Sequence, residues 1–132
     1  MPHYMSAIIG FVFLAAASVA GAPHAYAQSE DPVTLEKKCS KKDAFACANL
    51  AVLLRHGRGT NKSYARALTL FVMACEKGND FACGAVGDMT YRGLGIPSDP
   101  QRGEQLLRGA CRRGNEWSCE SLRRLLDHRR RS

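Results

Sequence analysis

Apolar residues recur at spacings of three and four along much of the chain, which is the pattern of core-facing helices. The segment 44–55 carries Leu50, Leu53 and Leu54 on one such face. The same reasoning predicts helices over 33–40, 44–55, 64–77, 80–91, 101–113 and 117–127. The pattern therefore predicts an all-α protein.

Short segments rich in glycine and polar residues separate these helices. Ser63 follows the break at 56–62 and can cap the next helix, because a short polar side chain accepts from the free N–H groups of a first turn. Asp99 follows the break at 93–95, and Pro100 suits the first helical turn. The helices are therefore expected to form hairpins.

The cysteines show that these hairpins repeat. All six fall into pairs with seven residues between the partners, and each pair lies 36 residues after the previous one. Phe45, Phe81 and Trp117 follow the same period, each two residues before the second cysteine of a pair. A period of this length is typical of solenoid proteins. We expect about two and a half 36-residue helix-hairpin repeats, with units of about 33–68, 69–104 and 105–128.

Each cysteine pair spans a predicted helix break, which favours a disulfide within the pair. Residues eight apart in one helix lie about 12 Å apart, whereas a disulfide needs Cα atoms within about 4.4–6.8 Å. Gly78 and Gly114 suit the left-handed residue that ends a helix, and Lys42 stands at that position in the first unit. The expected bridges are Cys39–Cys47, Cys75–Cys83 and Cys111–Cys119.

Zinc ligation and free thiols are the two alternatives for these cysteines. Zinc sites usually show closer cysteine spacing with further Cys or His nearby. His56 and His128 are the only histidines after residue 27, and both are interpreted as solvated turn or end residues. An even number of cysteines in a small exported protein favours disulfides over free thiols.

The N-terminus predicts export. Residues 7–20 form an apolar run of 14 residues, shorter than the roughly 20 needed to span a bilayer. Ala25-Tyr26-Ala27 matches a signal-peptide cleavage site. We expect a signal peptide at 1–27 and a mature repeat domain at 28–132, secreted or periplasmic, where disulfides persist. An uncleaved membrane anchor is the alternative.

The positive charge lies entirely on the mature domain. The formal net charge is +7, and residues 1–27 contain no Lys, Arg, Asp or Glu. Seven arginines lie near the C-terminus: Arg112, Arg113, Arg123, Arg124, Arg129, Arg130 and Arg131. Such charge attracts an acidic protein face, an anionic lipid or another envelope component; the alternative is a solvated helix end. We expect no nucleic-acid partner, because a stacking platform of aromatic residues is lacking.

Two segments resemble the L-G-x-x-Y-x-x-G-x-G core of Sel1-like repeats, a branch of the tetratricopeptide-like class. They are Leu50-Ala51-x-x-Leu54-x-x-Gly57-x-Gly59 and Val86-Gly87-x-x-Thr90-x-x-Gly93-x-Gly95. The cysteine pairs on a 36-residue period are similar to the disulfide-bridged branch typified by the Helicobacter cysteine-rich proteins. Arg129 and Arg131 replace the glycines in the third unit, so we expect the array to end there, with a helix instead of a loop.

The resemblance implies a right-handed α/α solenoid that serves as a non-catalytic scaffold for a protein or peptide. It also implies that the first helix of each unit lines a concave binding face. By register, the candidate residues of that face are Arg55, Asp88, Tyr91, Arg92 and Arg124. The aromatic residues Phe45, Phe81 and Trp117 are interpreted either as part of this face or as packing over the adjacent bridge.

Some members of the resembled family bind β-lactams or are credited with weak β-lactamase activity, so penicillin binding or hydrolysis is the alternative function. Serine β-lactamases use Ser-x-x-Lys, and no serine of this chain has a lysine three residues later. Two histidines are too few for a zinc β-lactamase. We therefore expect no catalytic residue, no metal and no cofactor.

Overall fold

Six helices and no strand make up residues 30–132, the part of the chain that this computed structural model describes. The helices are α1 Pro32–Ser40, α2 Ala44–His56, α3 Tyr64–Glu76, α4 Asp80–Arg92, α5 Pro100–Arg112 and α6 Glu116–Arg131. The predicted all-α class is confirmed. Helix ends agree with the prediction to within one residue, except that α6 continues to Arg131 instead of ending at Asp127. The predicted signal peptide lies outside the described residues.

Local capping explains where the helices begin and end. The Ser63 side chain accepts from the backbone N–H of Arg66 at 3.2 Å, and Asp99 accepts from that of Arg102 at 3.0 Å. Gly57, at a φ of +66°, ends α2 in the left-handed conformation that glycine adopts without strain. These breaks turn α2 back into α3 and α4 back into α5.

The turns between hairpins hold the disulfides. Three bridges, each within one unit, have Cα separations of 4.6, 4.6 and 4.7 Å: Cys39–Cys47, Cys75–Cys83 and Cys111–Cys119. Each turn contains one residue at positive φ, which is Lys42 (+70°), Gly78 (+87°) or Gly114 (+95°). The first turn thus holds a lysine in a conformation that favours glycine.

The helices stack in chain order as a solenoid of helical hairpins. Each helix packs on the next, and α4 also packs on α6. A main core cluster joins the first two units and includes Leu35, Leu54, Phe71 and Met89, all at most 2% exposed. A second, smaller cluster is formed by Leu107, Leu122 and Leu125.

The second cluster shows which side of α6 packs inward. Leu122 and Leu125 of α6 are buried against Leu107 of α5, while Arg123 and Arg124 of the same helix are exposed. Terminal repeats of solenoid proteins carry such polar residues on their uncovered side. None of the helices in residues 30–132 is long and apolar enough to cross a bilayer.

Candidate functional site

The helices α2, α4 and α6 carry all five predicted binding residues. These three helices occupy equivalent positions in the repeat, and we refer to their shared surface as the first-helix face. Arg55 lies near the end of α2; Asp88, Tyr91 and Arg92 lie in the last two turns of α4; Arg124 lies in α6.

A buried carboxylate joins α2 to α4 beneath this face. Arg55 Nη2 donates to Asp88 Oδ2 at 2.5 Å, and Arg92 Nε donates to Asp88 Oδ1 at 2.8 Å. Asp88 is only 3% exposed, so it is not the open surface residue that the sequence suggested. A carboxylate tolerates such burial because two guanidinium groups neutralise it and satisfy both of its oxygens. Asp88 therefore positions the two arginines.

The two arginines differ in how much of each remains accessible. The Arg55 side chain is 15% exposed, whereas that of Arg92 is 49% exposed. The Nε of Arg92 is bound to Asp88, which fixes the plane of its guanidinium group. The terminal nitrogens of Arg92 make no hydrogen bond to residues 30–132, so they are free to bind a ligand.

A cavity of about 350 Å³ lies between α4 and α6 on this face. It is lined by Tyr91, Arg92, Arg124, Leu125 and His128. Among the described residues, Arg124 makes only long polar contacts, at 3.5 Å to Glu120 Oε1 and 3.4 Å to Ser121 Oγ. Two guanidinium groups thus border one cavity beside a phenol, an imidazole and a leucine side chain. This arrangement can bind a carboxylate together with an apolar group.

The structure therefore brings three of the predicted residues together at one cavity, with Arg55 and Asp88 behind them. It adds two lining residues to that cavity. His128 lies one 36-residue period after Arg92, so the register also places it on this face; it was interpreted as a solvated end residue, and it is exposed. No sequence pattern indicated that Leu125 lines a cavity, because its place in the apolar stripe of α6 predicts only that it is buried.

The aromatic positions of the repeat are not equivalent in the folded chain. Phe81 packs edge-on against Phe71, with ring centroids 6.0 Å apart, and against Trp117, with centroids 5.1 Å apart. Phe45 is 76% exposed. It borders a second cavity of about 400 Å³ with Ala48, Asn49, Phe81, Asn115 and the turn 78–80. Phe81 and Trp117 therefore serve packing, whereas Phe45 is the most exposed of these three repeated aromatic residues.

The C-terminal end of α2 has a positive local environment. Partial desolvation of the ring, followed by the positive charges of Arg55, Arg58 and Lys62, lowers the pKa of His56 below its usual value. The Lys62 ammonium also lies 4.9 Å from the centre of the Tyr64 ring. Across residues 30–132, no three His, Cys, Asp or Glu side chains converge on a site that could hold a metal ion.

Comparisons with known proteins agree with this architecture. The family model described as the Sel1 repeat matches residues 44–79 and 81–115, more than half of the chain. No curated protein matches the chain at a significant level.

Solved structures with the same arrangement of helices come from several bacteria. A protective antigen of uropathogenic Escherichia coli with an SLR fold is 28% identical, with a TM-score of 0.64. The match covers 69% of this chain but only 20% of that antigen, so this chain spans about a fifth of its length.

Two further structures match over comparable lengths. A Sel1 repeat protein of Oxalobacter formigenes gives a TM-score of 0.62, and the cysteine-rich protein B of Helicobacter pylori gives 0.60. Both are 24% identical, and each match covers 67% of both chains. At this identity the likeness shows the fold alone.

Proposed function

Because the chain belongs to the Sel1 repeat family, we propose that it is an exported, non-catalytic scaffold that binds a protein or peptide on the first-helix face. Stacked helical repeats offer extended surfaces that suit such ligands. Three disulfides support a location outside the cytoplasm. The signal peptide expected at 1–27 supports export to the periplasm or the medium.

The cavity between α4 and α6 is the observation that carries this proposal. Arg92 and Arg124 border it with donors directed at no strong partner within residues 30–132, and Leu125 and Tyr91 supply apolar area beside them. A peptide offers a matching pair of groups, a carboxylate and a neighbouring apolar side chain. Charge-assisted hydrogen bonds from arginine to a carboxylate are among the stronger polar contacts in proteins. We therefore assign an acidic peptide segment to this cavity.

Affinity capture tests the proposal. The oxidised domain 28–132 is immobilised and exposed to an envelope extract, and the captured proteins are quantified by mass spectrometry. Arg124→Gln serves as the site variant, since the polar contacts of Arg124 with residues 30–132 are all long and its loss should not disturb folding. Arg102→Gln is the matched control, because Arg102 is exposed on α5 and does not line the cavity.

We expect at least one protein to be captured by the unmodified domain and the control, and reduced about tenfold by Arg124→Gln, as for loss of a hydrogen bond to a charged group. A synthetic peptide from that protein should then compete for binding. Equal capture by both variants would move the binding site away from the cavity. Capture no greater than that of an unrelated disulfide-rich protein would contradict the scaffold function itself.

A further inference from the structure

The two edges of the solenoid differ in charge. The loop edge consists of residues 55–62, 91–99 and 127–132, where α2, α4 and α6 end. The bridge edge consists of residues 40–44, 76–80 and 112–116, where the disulfide turns lie. The loop edge carries seven Lys or Arg side chains and two carboxylates, whereas the bridge edge carries five and four. The start of α1 also lies at the loop edge, because Pro32 lies against Gly59, and it adds the carboxylates of Glu30 and Asp31, so the net charge is +3 at the loop edge and +1 at the bridge edge. Positive charge is therefore concentrated on the loop edge.

Ion pairing does not remove this excess. Arg129 pairs with Glu104 at 2.9 Å, and Arg55 and Arg92 share Asp88. The remaining four cations of the loop edge are exposed and have no carboxylate partner within residues 30–132: Arg58, Lys62, Arg130 and Arg131. Near these cations, desolvation of the ring and, after it, the positive charges of Arg55, Arg58 and Lys62 lower the pKa of His56.

Helix dipoles do not account for the excess either. One cation in the last turn is enough to oppose the negative end of a helix. However, α6 ends in three consecutive arginines, while Arg58 and Lys62 lie beyond the end of α2. The cations therefore exceed what the helix ends require.

An exposed apolar residue lies in the middle loop of this edge. Ile96 is 39% exposed, and its loop separates the cations that follow α2 from those at the end of α6. A soluble polyanion would bind to the cations and would make no use of an exposed apolar residue between them. The surface of an anionic bilayer matches both features, since phosphate groups attract the cations and the interfacial region accepts an apolar side chain.

We propose that the loop edge binds peripherally to an anionic phospholipid bilayer through Arg58, Lys62, Arg130 and Arg131, with Ile96 entering the interface. These five residues do not line the cavity between α4 and α6, although Tyr91, Arg92 and His128 of the loop edge do.

Vesicle flotation tests the proposal on the oxidised domain 28–132. Partitioning is measured onto vesicles of phosphatidylcholine alone and of phosphatidylcholine with about 30% phosphatidylglycerol, at low and high salt. The loop-edge variant carries Arg58→Gln, Lys62→Gln, Arg130→Gln and Arg131→Gln. The matched control carries Lys37→Gln, Lys41→Gln, Lys77→Gln and Arg112→Gln, four exposed cations that also have no carboxylate partner in residues 30–132. Both variants lose the same charge.

We expect binding to the anionic vesicles alone, and we expect salt to weaken it. The loop-edge variant should lower the partition coefficient at least about 50-fold, and the control at most about threefold. Ile96→Ser should lower it about threefold while leaving the thermal melt unchanged. An equal loss of binding in both four-site variants would show that the overall positive charge, and not the loop edge, attracts the protein to the vesicles. This result would overturn the proposal.

Binding to soluble poly-glutamate distinguishes between a membrane and an acidic polymer as the ligand of the loop edge. Suppose that poly-glutamate binds as tightly as the vesicles with the same dependence on the four loop-edge cations, and that Ile96→Ser changes nothing. The edge would then be a site for an acidic protein, and the membrane proposal would be wrong. Circular dichroism and melting of each variant establish that it is folded.

Discussion

The first hairpin, formed by α2 and α3, and the second, formed by α4 and α5, follow one repeat plan, but the space between the two helices is filled differently in each. Gly87 of α4 and Gly103 of α5 lie against each other, and a Cβ at Gly103 would stand 2.6 Å from the carbonyl oxygen of Gly87. One period earlier, the equivalent residues are Ala51 and Ala67, both fully buried. The second hairpin therefore brings its backbones closer than alanine allows. The period determines the fold, while a few small residues set the helix separation in each unit.

The two units also differ in the chemistry beneath the first-helix face. Asp88 of α4 is buried between two arginines. Its equivalent in α2 is Val52, a partly buried apolar residue. The same repeat position thus accepts an apolar side chain in the first unit and a paired carboxylate in the second. The helix that carries this position keeps the same bounds relative to the repeat in both units.

Replacing Gly103 with Ala should cause the largest change. The added Cβ would lie 2.5 Å from the backbone N of Tyr91 and 2.6 Å from the backbone O of Gly87, and backbone atoms cannot move aside as a flexible side chain can. We expect a loss of about 4 kcal/mol in the free energy of unfolding, above the usual overpacking cost of 1–3 kcal/mol. Urea unfolding of the oxidised domain measures it.

Ala67→Gly is the matched change in the first hairpin. It removes a methyl group instead of adding one, and it should cost about 1 kcal/mol, mainly because glycine is a poor helix former. Similar losses of stability for Gly103→Ala and Ala67→Gly would show that the helices of the two hairpins are equally far apart. This result would contradict the closer approach inferred for α4 and α5.

Asp88→Val gives the second unit the residue found in the first. It removes the partner of the largely buried Arg55 and should cost about 3 kcal/mol, in the range for breaking a buried ion pair. Chemical denaturation of the variant measures this loss. Adding Arg55→Met should recover part of the stability, because no unpaired charge then remains beneath the face. If the double variant is no more stable than Asp88→Val, the pair does not account for the cost.

Gly84→Ala tests the contact between the second and third units. Its Cβ would fall 1.9 Å from the Ser118 hydroxyl oxygen of α6, where the preceding pair of units has Ala48 and Ala82. We expect a loss of about 2 kcal/mol. Combining it with Ser118→Ala should recover about 1 kcal/mol, which a double-mutant cycle detects. Strict additivity would show that the two side chains do not meet.

Lys42→Gly should give the smallest change, and it should be stabilising. Lys42 has a φ of +70°, where the other two turns have glycine. Relief of the left-handed conformation, reduced by the greater freedom of glycine in the unfolded chain, should raise the free energy of unfolding by about 1 kcal/mol. Gly78→Lys, whose Cβ would meet no atom within 4 Å, is the converse test and should lower it by a similar amount.

The fold could be predicted because its determinants are local in sequence. Ser63 and Asp99 are confirmed as helix caps, and the three bridges are confirmed within their units. Each feature depends on residues at most eight apart. The apolar stripe of α6 predicted an end at Asp127, whereas the replacement of both glycines by Arg129 and Arg131 predicted a helix instead of a loop, and α6 continues to Arg131.

The candidate site could be predicted only in part, because its contacts join different units. Asp88 was expected at the surface, since its charge favours water and its partner Arg55 is 33 residues away. Val52, one period earlier, was the available signal that this position faces inward. The distance between Gly87 and Gly103 depends on how two helices pack, which no local pattern specifies.

The spacing of the cysteines also has a consequence for the order of events during oxidation. Each cysteine is eight residues from its partner, whereas Cys47 and Cys75 are separated by 28 residues of chain. Six cysteines allow 15 complete pairings, but the entropic cost of closing a loop rises with its length. The native pairs are therefore also the pairs that meet most readily in the unfolded chain. A chain that emerges from its N-terminus can close each cross-link before the next pair appears, with no need for an isomerase to correct the pairing.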